Sequence, residues 1–165
     1  MPELDFIAEI DGKIVGNILY VRAKLIAEDG TVKDCISFGP LSVHPDYQRR
    51  GIGKALISHS FEKAKEMGAT VVVLGHPSNY VARGFQSCIR KNICFGDGYF
   101  FSGMLVKELV PNTLDGRRYR FEKSPVFNLN QAEVEEFDGR FPKKEKKVLP
   151  RQKEFFINSH SVVHL

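Results

Sequence analysis

Apolar and polar residues alternate early in the chain and give way to helical spacing after residue 51. Residues 6–10 read as a strand, and Asp11-Gly12 is the dipeptide expected of a tight hairpin turn. Residues 13–24 read as a second strand, in which Ile14, Ile18 and Tyr20 partly alternate, with a turn at Glu28-Asp29-Gly30. Residues 32–43 form the third, interrupted by Gly39-Pro40, a pair that predicts a bulge or a splayed edge. Beyond it Ile52, Leu56, Ile57, Phe61, Ala64 and Met67 recur on one helical face, and Gly68 follows as the C-terminal stop. Residues 70–74, Thr-Val-Val-Val-Leu, make a continuous β-branched run that suits a buried, parallel strand. Strand, glycine turn, helix and strand make a right-handed βαβ unit.

Gly75-His76-Pro77 ends that strand. Residues 79–83 then read as a short helix stopped by Gly84, residues 100–109 as a strand and 118–121 as a shorter one. Residues 131–137 read as a short acidic helix and 141–150 as a basic connector. The apolar Phe155-Phe156-Ile157 and Val162-Val163 are expected to dock on the body or on a partner.

The length of 165 residues and the apolar content suit one core-forming body. No apolar run approaches the ~18 residues of a membrane span, and the first residues lack the pattern of a signal peptide, so no membrane partner is expected. Cys35, Cys88 and Cys94 form no C-x-x-C pair. Such cysteines read as small apolar fillers in a protein of the reducing cytoplasm, and no metal-ligand spacing is present. The net charge of +4 sits mostly in residues 139–153, where seven bases face the single acid Glu145. The remainder is slightly acidic, so the basic stretch reads as a solvated connector, not a nucleic-acid face.

The chemistry concentrates in Gln48-Arg49-Arg50-Gly51-Ile52-Gly53, where a strand feeds a helix through a basic glycine turn. The first N–H groups of a helix lack partners and the macrodipole makes that end positive, which suits an anion. Glycine lets a phosphate approach the backbone. A Walker loop is excluded by Gln48 and Ala55, and a dinucleotide fingerprint by the absence of a third glycine at position 56.

The stretch resembles the Q/R-x-x-G-x-G/A signature of the GCN5-related N-acetyltransferases (GNAT), as does its lead-in Leu41-Ser42-Val43-His44-Pro45-Asp46-Tyr47. Tyr80-Val81-Ala82-Arg83-Gly84-Phe85 matches the family's Y-x-x-x-G-F pattern. Leu74-Gly75-His76-Pro77 and residues 104–116 look like a bacterial group of predicted acetyltransferases. The likeness covers roughly residues 4–127. It implies an α/β (α+β) fold with a mixed, mostly antiparallel sheet around the βαβ unit. A body over residues 1–127 and a C-terminal extension over 128–165 are expected. Members usually begin with a strand and two helices, a unit this sequence is read as lacking.

The resemblance also implies roles. Acetyl-CoA is the cosubstrate, with no metal. The backbone of Leu41, Ser42 and Val43 holds the thioester arm. Gln48, Arg49, Arg50, Gly51, Ile52, Gly53 and Lys54 form the pyrophosphate loop, with charge added by Arg49 and Arg50. Asn79 bonds the pantetheine arm, and Tyr80 protonates the departing thiolate. His44 reads as structural, and His76 lies near the path of the cofactor arm. The implied activity is acetyl transfer to an amine by direct attack, the acceptor being a small molecule or a protein or peptide amine. A non-catalytic acyl-CoA-binding sensor or assembly module is the alternative. A homodimer fits either reading.

Overall fold

The computed structural model describes residues 1–145 and 147–164; Lys146, within the segment read as a basic connector, and Leu165 lie outside the described residues. β1 (Asp5–Ile10) and β2 (Lys13–Ala27) form an antiparallel hairpin. Its turn residues Asp11 and Gly12 both have positive φ, 49° and 73°, as a two-residue hairpin requires. β3 (Val32–Val43) runs antiparallel along β2. Opposite Leu19 the register slips, so that Gly39 and Pro40, joined by a cis peptide, face one residue of β2. This is the bulge that the Gly-Pro pair predicted.

The chain then turns into α1 (Ile52–Glu66) and returns as β4 (Thr70–Leu74), which lies parallel to β3. The two strands are paired at Ile36 and Val71 only, and they part toward their C-terminal ends. β5 (Gln86–Ser87) and β8 (Met104–Glu108) lie antiparallel beyond β4. On the other side, β9 (Tyr119–Glu122) takes the far half of β2, followed by β6 (Ile93–Phe95) and β7 (Tyr99–Phe101). The sheet is mixed and mostly antiparallel, as expected.

Successive side chains of the central strands divide between two cores. Val71 and Val73 join Tyr20, Ile36, Phe38, Leu56, Ile57 and Leu105 under α1. Val72 joins Leu25, Cys35, Cys88, Met104, Val106 and Phe121 on the opposite face. Burial on both faces explains the unbroken apolar run of β4. The three cysteines are buried free thiols; burial pushes the Cys35 thiol up to about 12 and Cys88 well above its usual range.

Three segments differ from expectation. Residues 79–83 are not one helix but two single 3₁₀ turns, Pro77–Asn79 and Val81–Arg83, between which Tyr80 sits. Pro77 and Gly84, the latter at φ 81°, confine them to a length where an α-helix cannot propagate. The expected strand over 100–109 is split into β7 and β8 by a turn at Ser102-Gly103, which sends the two to separate parts of the sheet. The C-terminal extension holds, besides α2 (Gln131–Asp138), a helix α3 (Pro150–His160) and a strand β10 (Val162–His164) paired with β7. Among the described residues no helix is long and apolar enough to cross a membrane.

Candidate active site

The site forms where β3 and β4 separate. His44 N–H bonds Val15 O of β2, whereas Val43 O accepts from Gln48 Nε2 at 3.0 Å. N–H and C=O of one strand residue point to the same side, so the backbone polar groups of Val43 face away from β2, into the gap. The Gln48 side chain thereby staples the loop onto the end of β3.

The loop bends through Arg49 at φ 61° and Gly51 at φ 86°. The positive φ at Gly51 suits a residue without a Cβ, whereas Arg49 adopts it at some strain. Gly51 is the N-cap of α1 and offers no side chain; the first helical bond runs from Ala55 N to Gly51 O at 2.9 Å. The N–H groups of Ile52, Gly53 and Lys54 thus have no backbone acceptor among the described residues. α2 differs: Asn130 Oδ1 caps it through Ala132 N at 2.9 Å. The start of α1 carries no acid, and Lys63 and Lys65 stand near its end, where they suit the dipole.

A groove of about 630 Å³ runs from this helix end along Leu41 and Val43 to Asn79 and Tyr80. Gln48, Arg49, Gly51, Ile52, Gly53 and Lys54 line it. Ser42 and Arg50 do not. Alternation along β3 puts the Ser42 side chain on the opposite sheet face from those of Leu41 and Val43, where its hydroxyl bonds Oδ1 of its cross-strand partner Asn17 at 2.5 Å. The Arg50 guanidinium lies over the Tyr47 ring, 5.3 Å from its centroid. The groove also includes Tyr47, Ile57, Arg83 and Arg151, which sequence reasoning did not select. Arg83 lay inside the quoted tyrosine motif and was open to discovery. Arg151 comes from α3, far along the chain, and no local pattern points to it. Among the described residues its four cations Arg49, Lys54, Arg83 and Arg151 are accompanied by no acid, so the groove is set for anions. Arg83 donates to Asn79 O, yet its buried Nε has no partner among the described residues.

Tyr80 is half-buried among Phe38 and Phe85, with ring centroids 5.7 and 5.5 Å away. Tyr20 and Tyr119 bond their hydroxyls to Ser60 and Asp115, but that of Tyr80 has no protein partner among the described residues. Burial pushes its pKa above the ordinary value of 10.0, and the neighbouring Arg83 charge restores only part. The phenol therefore keeps its proton at neutral pH and can donate it. His76 is engaged at both nitrogens: Nδ1 lies 2.7 Å from Ser78 Oγ and Nε2 3.2 Å from Glu154 Oε2. Among the described residues no group of three or more His, Cys, Asp or Glu is placed to hold a metal ion.

A curled sheet split between two parallel strands, with a glycine turn and an open helix end at the split, defines the N-acetyltransferase fold. The chain belongs to the acetyltransferase (GNAT) family, whose model matches residues 1–87. It is 40% identical over 89 residues to the uncharacterized N-acetyltransferase YjhQ of Escherichia coli K12, a match over 53% of this chain and 48% of that protein. The chain thus spans about half the length of that curated relative. The fold is shared with E. coli YhbS, a GNAT family N-acetyltransferase solved in complex with CoA. That match has a TM-score of 0.65 at 23% identity and covers 74% of this chain and 68% of the other. A GNAT family acetyltransferase from Brucella melitensis, solved with acetyl-CoA, matches with a TM-score of 0.54 at 24% identity, over 73% and 66% of the chains.

Proposed function

We propose that this protein is an acetyl-CoA-dependent N-acetyltransferase that works by direct attack of an amine on the thioester. The observation that carries the reading is the groove itself: four cations and no acid, running from the uncapped end of α1 to a free tyrosine hydroxyl. A diphosphate suits the first end. The N–H groups of residues 49–54 are its donors, and Arg49 and Lys54 add charge. The edge of β3 at Leu41 and Val43 lies along the extended arm and offers strand-like hydrogen bonds, with Asn79 beside it. The Val43 N–H, turned away from β2, polarises the acetyl carbonyl.

At the other end Tyr80 donates its proton to the departing thiolate as the carbon–sulfur bond breaks, and recovers one from solvent. The cysteines do not compete as acetyl carriers, because all three are buried and burial holds Cys35 and Cys88 in the thiol form. The E. coli and Brucella structures bound to CoA and acetyl-CoA support the cosubstrate.

Gly51→Asp is the direct test. It places a carboxylate and a Cβ at a position of φ 86°, beside the proposed diphosphate. Calorimetry with coenzyme A is expected to show affinity falling on the order of 10²-fold, as for a like-charge juxtaposition. Unchanged affinity removes the coenzyme from this turn. Thiol release with amines separates a transferase from a binding module: tight coenzyme binding with no turnover across a broad panel rules out the enzyme.

A further inference from the structure

We propose that α3 forms the acceptor wall of this transferase, and that the acceptor is an amine on an aromatic or branched apolar body next to a carboxylate, as in an apolar amino acid. The inference rests on the transferase reading above. A second cavity, of about 610 Å³, lies between the end of β4 and α3, with Leu74 and His76 on one side and Phe155 and Phe156 on the other. That size falls within the roughly 300–1,000 Å³ of small-molecule sites. It meets the coenzyme groove at Asn79, Tyr80 and Arg151, which line both. A nucleophile held in the second cavity therefore meets a thioester held in the first at the free Tyr80 hydroxyl.

The wall has a defined chemistry. Leu74, Phe155 and Phe156 leave 38%, 38% and 61% of their surface uncovered beside the cavity, which favours a flat or branched apolar body. Among the described residues no acid lines the cavity, and Glu154 beside it is engaged by His76 at 3.2 Å, so a polyamine finds no free counter-charge there. Arg151 is its one permanent cation, and its guanidinium has no hydrogen bond or ion pair among the described residues. A carboxylate beside the amine satisfies it in bidentate fashion.

The wall is also anchored. Glu154 reaches His76, Ser102 Oγ bonds Asn158 O at 3.3 Å, and β10 continues the chain into the sheet beside β7. Because both His76 nitrogens are engaged, His76 positions α3 and is not the base. In the step itself the neutral amine nitrogen bonds the acetyl carbon and the carbon–sulfur bond breaks. The surplus proton on nitrogen passes to water at the cavity mouth, and the thiolate takes the Tyr80 proton. The products are an amide and a free thiol.

The experiment measures thiol release with phenylalanine, phenethylamine and putrescine, beside coenzyme A affinity by calorimetry, on the full chain. Phenylalanine is expected to exceed both other amines at least tenfold in kcat/KM. Phe155→Ala/Phe156→Ala, checked for folding by circular dichroism, is expected to raise KM for phenylalanine at least tenfold and to leave coenzyme affinity within twofold. Arg151→Gln is expected to erase the preference for phenylalanine over phenethylamine. Putrescine as the best amine, or an unchanged KM in the double variant, overturns the proposal. So does a weakened coenzyme affinity in Arg151→Gln with the preference intact, since the arginine then serves the coenzyme phosphates. Intact coenzyme binding without turnover of phenylalanine sinks the acceptor alone, whereas absent coenzyme binding sinks the transferase reading beneath it.

Discussion

Tyr80 is fixed by its ring and free at its hydroxyl. The two features come from different residues. Phe38 and Phe85 pack the ring, and Gly75 makes room for it: a Cβ added at Gly75 would stand 2.6 Å from Tyr80 Cε2. Tyr80→Phe keeps that packing and removes only the proton donor. It is expected to lower kcat on the order of 10²-fold, the lower end of general acid catalysis, with coenzyme affinity unchanged in calorimetry. A retained kcat would take the proton from elsewhere. Gly75→Ala tests position instead of chemistry. The added methyl forces the ring aside, so kcat is expected to fall by up to about 10²-fold for a displacement approaching 1 Å, while the hydroxyl remains. An unaltered rate would show that the ring has room to adjust. The two substitutions separate the group from its placement.

At the scale of elements, β2, β3 and α1 meet at Gly16. A Cβ there would lie 2.9 Å from Ser42 O and 3.3 Å from both Ile52 and Leu56 side chains. Two of those neighbours lie on α1 and the third is backbone of β3, so the helix and strand that bound the groove must both give. Gly16→Ala is expected to cost ~1–3 kcal/mol, as overpacking does, read as a lower urea midpoint. A midpoint equal to that of the parent would mean the helix slides freely on the sheet. Elements with a strong pattern and sharp punctuation were legible in the chain: the third strand, bounded by turn residues, and β4, whose β-branched run ends at Gly75, match their expected limits of 32–43 and 70–74. β5 and β6 were not, because segments of two and three residues are shorter than any window of alternation. α3 was hidden for another reason. Phe155, Phe156 and Ile157 are consecutive and spread around the helix, so they give no amphipathic stripe, and the lysines before them drew the reading toward a connector. The glycine turn and Tyr80 could be found because their chemistry sits in short motifs; Arg151 could not, since tertiary folding alone brings it to the groove.

Across the whole molecule, the charged groups that brace the fold are not the ones that line the groove. Asp115 accepts hydrogen bonds from Arg117 Nη2 at 2.7 Å and from the hydroxyl of the buried Tyr119 at 3.0 Å, and Arg117 reaches on to Asp29 at 3.0 Å. This joins the turn between β2 and β3 to the start of β9. The Arg117 bonds, and then that of Tyr119, hold the Asp115 carboxyl well below the usual range. Burial pushes Glu108 up, but Lys91 at 2.5 Å and the Leu114 N–H at 2.9 Å outweigh it and bring it below its ordinary value. Both groups bind protons more readily in the unfolded chain. Their contribution is therefore complete above the unfolded carboxylate value, about 4, and is lost as the pH falls through the lower folded values. The urea midpoint should stay level from pH 7 to about 5 and then drop steeply toward pH 3. In Asp115→Asn the midpoint should already be lower at pH 7 and should fall less between pH 5 and 3, because one of the linked protons is gone. An equal slope in variant and parent would show that the Asp115 network does not report on global unfolding.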